Sequence, residues 1–306
     1  MGLGCNNFGT KLDARASAEV VCAALDAGIN LFDTADIYGR GLSEEYIGRA
    51  LGARRGEAVI ASKFGKSMGE GRRGARPEYI RRAVEDSLRR LRTDRIDLYQ
   101  MHEPDDEVPI ADTLGALDDL VRDGKVREIG SSNFPAAQIR EADATAARLN
   151  VTRFVSVQNE YSLLQREPEV DVLEVSARVG AAFLPFYPLA GGLLTGKYQR
   201  GRPAPAGSRL ARGGKSVVAA DDVFARLEAL RDFAESHGHQ LLELAFSWLL
   251  ARPIVASVIA GATAPAQIVS NVAAADWRLD AADLAAVDLI CGPPGRGVPN
   301  PIHDQT

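Results

Sequence analysis

Asp33, Tyr38, Lys63 and His102 are residue types that together suit one proton transfer. A tyrosine hydroxyl with an ordinary pKa of about 10 donates poorly near neutrality, and a nearby cation that stabilises the phenolate improves it. Lys63 can supply that cation. A lysine held away from water needs a counter-charge to stay protonated, and Asp33 can supply it. His102 can donate a hydrogen bond to a carbonyl oxygen or share the proton with the phenol. The set describes a general acid aimed at a developing alkoxide. Reduction of a C=O group is the reaction implied, with the hydride drawn from a cofactor because no side chain provides one.

These residues are spread over positions 33–102, so the fold must return the chain to one place several times. Short apolar runs alternate with longer segments of helical periodicity, the pattern of repeated βα units and a parallel sheet. Strands are predicted at residues 2–5, 30–32, 58–62, 96–101, 128–130, 154–157, 182–186 and 255–259, with helices such as 17–27, 78–91, 110–122 and 168–179 between them. Ser17, with Val20, Val21, Ala24 and Leu25 behind it, reads as an N-cap opening an amphipathic face. Eight strands, nearly every one followed by a helix, is the number that closes an α/β (β/α)8 TIM barrel. Between the seventh and eighth strands lie a Gly/Pro/Arg-rich stretch, 191–214, and two helical patterns, 221–235 and 241–250. That spacing predicts one extra, inserted helix and one long loop. A C-terminal helix at 280–290 precedes a tail whose prolines and glycines forbid regular structure. At ~150 residues per domain a chain of 306 residues would hold two, but such barrels run to about 250 residues as one unit. No composition break divides the sequence, so a single domain over residues 1–306 is expected.

A doubly wound open sheet shares this alternation, yet its GxGxxG fingerprint fails here: Gly2-Leu3-Gly4-Cys5-Asn6 is followed by Asn7 where the third glycine belongs. Two near misses to a phosphate-binding P-loop fail as well. Tyr198 follows Gly196-Lys197 where Ser or Thr is needed, and Arg209 stands where the first glycine should precede Gly214-Lys215-Ser216. Charge narrows the function further. With 36 basic and 41 acidic residues the net charge is −5, which gives no global pull toward nucleic acid or a membrane surface. Cys5, Cys22 and Cys291 are far apart, so neither a disulfide framework nor a thiolate metal site is expected. No signal-like N-terminus or apolar run of ~18 residues is present, and a cytoplasmic protein, monomeric or weakly homo-oligomeric, is the expectation.

In a (β/α)8 barrel the active site is built at the C-terminal ends of the strands. Asp33 follows the second predicted strand with Tyr38 five residues on, Lys63 follows the third and His102 the fourth. The next four end in Ser131-Ser132-Asn133, Gln158-Asn159, Phe186-Tyr187 and Gly261-Ala262-Thr263. Convergence on one rim is stronger than any single residue in it. At this point the sequence resembles the aldo-keto reductase family, on the segments GINLFDTADIYGRGLSEEYIGRAL, VIASKFG, LYQMHEPD, IGSSNF, SVQNEYS, PLAGGLLTGKY and VIAGATAPAQIVSNVAA, in the family's order along essentially the whole chain. The resemblance implies that Asp33, Tyr38, Lys63 and His102 are the catalytic tetrad and that NADPH lies across the barrel mouth without a Rossmann domain. It implies that Ser132, Asn133 and Gln158 hold the nicotinamide amide and that Phe186, where many members have tyrosine or tryptophan, stacks on the ring. Leu189, Gly192, Leu194 and Lys197 would lie against the pyrophosphate, and Arg209 would clamp a phosphate. A small aldehyde or ketone would be the substrate.

Two departures from the family bear on these expectations. Its usual N-terminal hairpin would precede Leu3, and the chain starts at Met1-Gly2, so either the plug is absent or the start is misassigned. A basic residue commonly stands four before the asparagine matching Asn271 and reads the 2′-phosphate, whereas Gln267 stands here. Gly261, Thr263, Gln267 and Asn271 would then bind without a bidentate arginine, favouring NADPH but leaving NADH open. Taken alone, each residue has a plainer account: Asp33 with Lys63 as a structural ion pair, Tyr38 as surface packing, His102 as a core histidine. Two further functions compete. One is a metal-dependent barrel hydrolase, for which the strand ends lack additional ligands and no metal is expected. The other is a regulatory subunit that binds NADPH on the same scaffold with little turnover.

Overall fold

A computed structural model describes residues 1–206, 208, 211 and 221–295. Eight parallel strands form one sheet in the order β7-β6-β5-β4-β3-β2-β1-β8. They are β1 (Gly2–Gly4), β2 (Leu31–Asp33), β3 (Val59–Phe64), β4 (Ile96–Met101), β5 (Val126–Ser132), β6 (Phe154–Gln158), β7 (Ala182–Phe183) and β8 (Ile259–Gly261). The two ends of the series meet through single parallel bridges, Phe183 with Val255 and Phe186 with Ile259, which curl the sheet into the (β/α)8 barrel. Around it lie α1 (Ala14–Asp26), α2 (Leu42–Leu51), α3 (Pro77–Leu91), α4 (Ile110–Arg122), α5 (Ala136–Leu149) and α6 (Val172–Arg178). Among the described residues, α7 (Asp221–Ser236) and α8 (Leu241–Leu250) come between β7 and β8, one more helix than a single βα step needs. After β8 follow α9 (Pro265–Ala273) and α10 (Ala281–Cys291). Among the described residues no helix is long and apolar enough to cross a membrane.

Side chains alternate between the two faces of a strand, so one residue in two points into the barrel. The inward set starts with a small apolar plug of Ala61, Leu98, Leu184 and Ile259, with Leu31 packed against it. Two residues further along the same strands the same face carries Asp33, Lys63, Gln100, Phe186 and Gly261. A polar layer therefore sits directly on an apolar floor. The outward set, including Phe32, Ile60, Tyr99, Ile129, Val157 and Phe183, packs in the main core with helix residues such as Val21, Ile47, Ile80, Val84, Leu114 and Leu117. Burial of about 25 cal/mol per Å² of apolar surface on both sides of the sheet stabilises the strands and fixes the direction of the inward residues.

Helix α1 starts earlier than its apolar periodicity indicates. Asp13, not Ser17, is the N-cap: it is extended and its carboxylate accepts from the Ala16 amide at 2.8 Å. Ser17 lies one turn inside on the buried face. Helices α2 and α3 approach unusually closely at Gly48, where an added Cβ would meet the Leu91 carbonyl carbon at 2.5 Å. Only glycine admits that crossing, and the crossing brings Arg90 of α3 to Glu44 of α2, with Nε 2.6 Å from Oε2.

Candidate active site

Asp33 ends β2, Lys63 lies near the end of β3, and His102 follows β4, so three strands deliver these groups to one rim. Tyr38 opens a single-turn 3-10 segment, Tyr38–Gly41, just beyond β2. The structure brings all four together. Lys63 Nζ donates to Asp33 Oδ1 at 2.7 Å, to Asp33 Oδ2 at 2.8 Å and to the Thr34 carbonyl at 3.0 Å. An ammonium has three N–H donors, so all of them are engaged. Lys63 therefore reaches Tyr38 by charge and not by hydrogen bond: its nitrogen lies 5.3 Å from the centroid of the tyrosine ring. On another side the Tyr38 ring meets His102 edge to face, centroids 5.8 Å apart and planes at 86°.

Electrostatics differ in one respect from the sequence expectation. Burial and then the Asp33 charge, with Tyr187, Cys5 and Asp36 behind them, hold the Tyr38 hydroxyl well above its usual pKa. The expected lowering by Lys63 is absent, and the reason is geometric: a carboxylate on all but one of the ammonium donors cancels most of its field at the phenol. Tyr38 is thus a protonated phenol throughout the physiological range. Burial, followed by the charges of Lys63 and Lys66, holds His102 well below the usual histidine value, which makes it a neutral imidazole. His102 is buried, and its Nδ1 has no partner among the described residues.

The remaining rim positions are distributed as follows. Ser132 ends β5, buried, and Asn133 next to it takes a left-handed turn at φ 61° from which its amide donates to the His102 carbonyl at 2.9 Å and to Ser132 Oγ at 3.1 Å. Gln158 ends β6 and donates to Asp33 Oδ1 at 2.8 Å, so this residue joins the acid–lysine pair directly. Phe186 is half-buried beside Tyr187, ring centroids 5.3 Å apart. The segment Ala190–Thr195 coils through two left-handed glycines, Gly191 at φ 68° and Gly192 at φ 103°. Leu189 is half-buried and accepts from the amides of Gly192 and Leu194 at 2.8 and 3.2 Å, while the Leu194 side chain points into the core. Lys197 folds back over this coil, and a Cβ on Gly192 would lie 3.2 Å from its ammonium. The glycine leaves a cradle beside a cation, which fits a phosphate. Gly261, the last residue of β8, and Thr263 just beyond it are exposed, and Gln267 Oε1 accepts from the Thr263 amide at 2.6 Å and from its hydroxyl at 3.1 Å. Asn271 is buried on α9. Arg209 lies outside the described residues.

Several rim groups escaped the sequence reading. Gln100 in β4, fully buried, faces Asp33 and Gln158. Asn6 and Asn7 follow β1, and a Cβ on Gly261 would lie 3.4 Å from Asn7 Nδ2 and 3.7 Å from Asn6 Oδ1. Their position after the first strand was the available signal. Among the described residues no group of three or more His, Cys, Asp or Glu side chains is placed to hold a metal ion.

A second buried cluster lies against the tetrad. Asp36, two residues before Tyr38, is buried, with Oδ2 accepting from the Tyr79 hydroxyl at 3.3 Å and Oδ1 without a partner among the described residues. Glu44, also buried, is already matched by Arg90 and by Ser62 Oγ at 2.5 Å. Burial first, and then repulsion from Glu44, push the Asp36 carboxyl up to about 7 against an ordinary 3.8. Between those two values the folded protein holds a proton that the unfolded chain has lost, so stability falls as pH rises through that window. Asp36→Asn removes this dependence. The drop in melting temperature between about pH 5 and about pH 8 is expected to be smaller in the variant than in the wild type; equal drops would contradict the raised carboxyl.

Residues 1–291 match the family model described as aldo/keto reductase family. A Bacillus subtilis (strain 168) protein named uncharacterized oxidoreductase YrpG is 35% identical, over 96% of this chain and 92% of its own length. An Oryza sativa subsp. japonica protein named probable voltage-gated potassium channel subunit beta is 35% identical over 88% of this chain and 84% of its own length. Protein tas of Escherichia coli (strain K12) is 33% identical over 95% of this chain and 93% of its own length.

Proposed function

The chain belongs to the aldo/keto reductase family, and on that premise we propose that it is an oxidoreductase that reduces the carbonyl of a small aldehyde or ketone with NADPH, reversibly. One observation carries the reading. Tyr38, a protonated phenol, lies between a fully engaged Lys63–Asp33 pair and a neutral His102 at the open end of the barrel. Such a group can give its proton to a developing alkoxide, and general acid catalysis of this kind contributes ~10²–10⁴-fold. His102, uncharged, orients the carbonyl oxygen by hydrogen bonding. Lys63 and Asp33 form a compact, hydrogen-bonded ion pair under the phenol.

The donors around the mouth fit a nicotinamide dinucleotide. Bound there, it would supply the hydride that the side chains lack. Ser132, Asn133 and Gln158 would hold its carboxamide, the Phe186 ring would lie against the nicotinamide face, and the Gly191–Gly192 coil with Leu189, Leu194 and Lys197 would take the pyrophosphate. Gly261, Thr263, Gln267 and Asn271 would bind the adenosine end. Gln267 is exposed and its side chain is already committed to Thr263, which gives a 2′-phosphate no cation. Gln267→Arg adds a bidentate donor, and the ratio of kcat/KM for NADPH to that for NADH is expected to rise about tenfold. An unmoved ratio would place the phosphate elsewhere.

The similarity to proteins named potassium channel subunit beta favours one second reading, a regulatory subunit that binds the nucleotide with little turnover. Steady-state assay of a nitrobenzaldehyde with NADPH separates the two. Turnover supports the reductase; tight nucleotide binding without product supports the subunit.

A further inference from the structure

We infer that Lys66 is a specificity-determining residue: its ammonium pairs with a carboxylate on the substrate while His102 holds the carbonyl, so the site prefers aldehydes and ketones that carry an acid group. The inference rests on the reductase reading and names the substrate class for it.

The placement of Lys66 follows from how β3 and β4 end. The His102 amide donates to the Phe64 carbonyl at 2.8 Å, so the residues that follow the two strands run side by side at the rim. Gly65 comes next, and a Cβ there would lie 3.9 Å from the His102 amide. The Gly65 carbonyl accepts from the Gly74 amide at 2.7 Å, which closes the loop between them at its neck. Asp105 clamps the neck from the neighbouring loop: its Oδ2 accepts from the Ala75 amide at 2.8 Å and its Oδ1 from the Glu107 amide at 3.0 Å. Lys66 is the first residue beyond this neck, so its backbone is anchored beside His102 and not on a swinging tip.

The side chain is held less tightly than the backbone. Lys66 is half-buried, and among the described residues its one acid partner is Glu103, with Nζ 3.8 Å from Oε2, too far for a hydrogen bond. Lys63, by contrast, spends all three of its donors. After burial and Lys63, the Lys66 charge is the third influence that holds the His102 ring neutral, which puts this cation in reach of the carbonyl site. Lys63 is matched there by Asp33 at close range, and Lys66 has no such match. Glu103 is exposed, and a substrate carboxylate is a like-for-like replacement that can approach to hydrogen-bond distance. Nothing in the proton transfer requires Lys66.

Two substrates of nearly the same shape test the assignment. Para-formylbenzoate carries the carboxylate, and its methyl ester is neutral. Each is reduced with NADPH, and kcat/KM is read as an acid-to-ester ratio, in which a general change of rate cancels. Wild type is expected to favour the acid about fivefold, the upper range for a solvent-accessible ion pair. In Lys66→Met the ratio should fall to about one, and in Lys66→Glu below one. Raising the salt from about 0.01 M to about 1 M should bring the wild-type ratio toward one as well, because the pair is open to solvent. A wild type that reduces a nitrobenzaldehyde yet shows no preference for the acid, or a preference that survives in both Lys66 variants, overturns the role of Lys66 and leaves the reductase reading standing. A wild type that reduces none of the three aldehydes overturns the reductase reading and this inference with it.

Discussion

Tyr38→Phe is expected to lower the rate of carbonyl reduction by ~10²–10⁴-fold while leaving NADPH affinity within about twofold of wild type. The variant removes one oxygen and keeps the ring, so the edge-to-face contact with His102 and the Lys63 ammonium over the ring face both survive. Fold and nucleotide site are then unchanged, and the loss is read in kcat. The phenol is protonated across the physiological range, so the wild type should lose no activity to tyrosine ionisation at mildly alkaline pH. Residual turnover close to wild type would remove Tyr38 from the reaction.

Lys63→Met is expected to abolish turnover as well, and to destabilise the protein strongly. Among the described residues, Asp33 would be left buried with its carboxylate facing only the Gln158 and Gln100 amides. Breaking a buried pair by removing one partner costs about 3–5 kcal/mol, which for a chain of this size lowers the melting temperature by roughly five to eight degrees. The double variant Asp33→Asn with Lys63→Met removes both charges. It should recover most of the stability and none of the activity, because no uncompensated charge remains inside the barrel. Thermal melts of the three proteins beside their rates separate the structural part of the pair from its part in the chemistry. A Lys63→Met protein as stable as wild type would mean that the pair is solvated, against its burial.

What the sequence revealed about the site was the part carried by strand ends. Asp33, Lys63, His102, Ser132, Gln158 and Phe186 could be assigned to one rim because a barrel strand delivers its last inward residue to a known place. Gln100 was not legible in the same way. It stands inside the apolar run of β4, and only its facing partners on β2 and β6 distinguish it from a tolerated polar residue. The Asp36–Glu44–Arg90 cluster depends on a contact between residues 44 and 90 that no local pattern announces. The charge on Tyr38 was misjudged for a related reason. Whether Lys63 acts on the phenol depends on where its three hydrogens point, and residue types do not state that. The error at Ser17 was local and avoidable, since Asp13 precedes a run of good helix formers and caps it.

The central claim is that this barrel turns over a carbonyl at Tyr38. Its most direct test mixes purified wild type and Tyr38→Phe with NADPH and a nitrobenzaldehyde and follows nucleotide oxidation together with alcohol formed. The account predicts one alcohol per nucleotide oxidised in the wild type and neither in the variant, with both proteins binding NADPH. Binding without product in the wild type, or equal product from both, would contradict it.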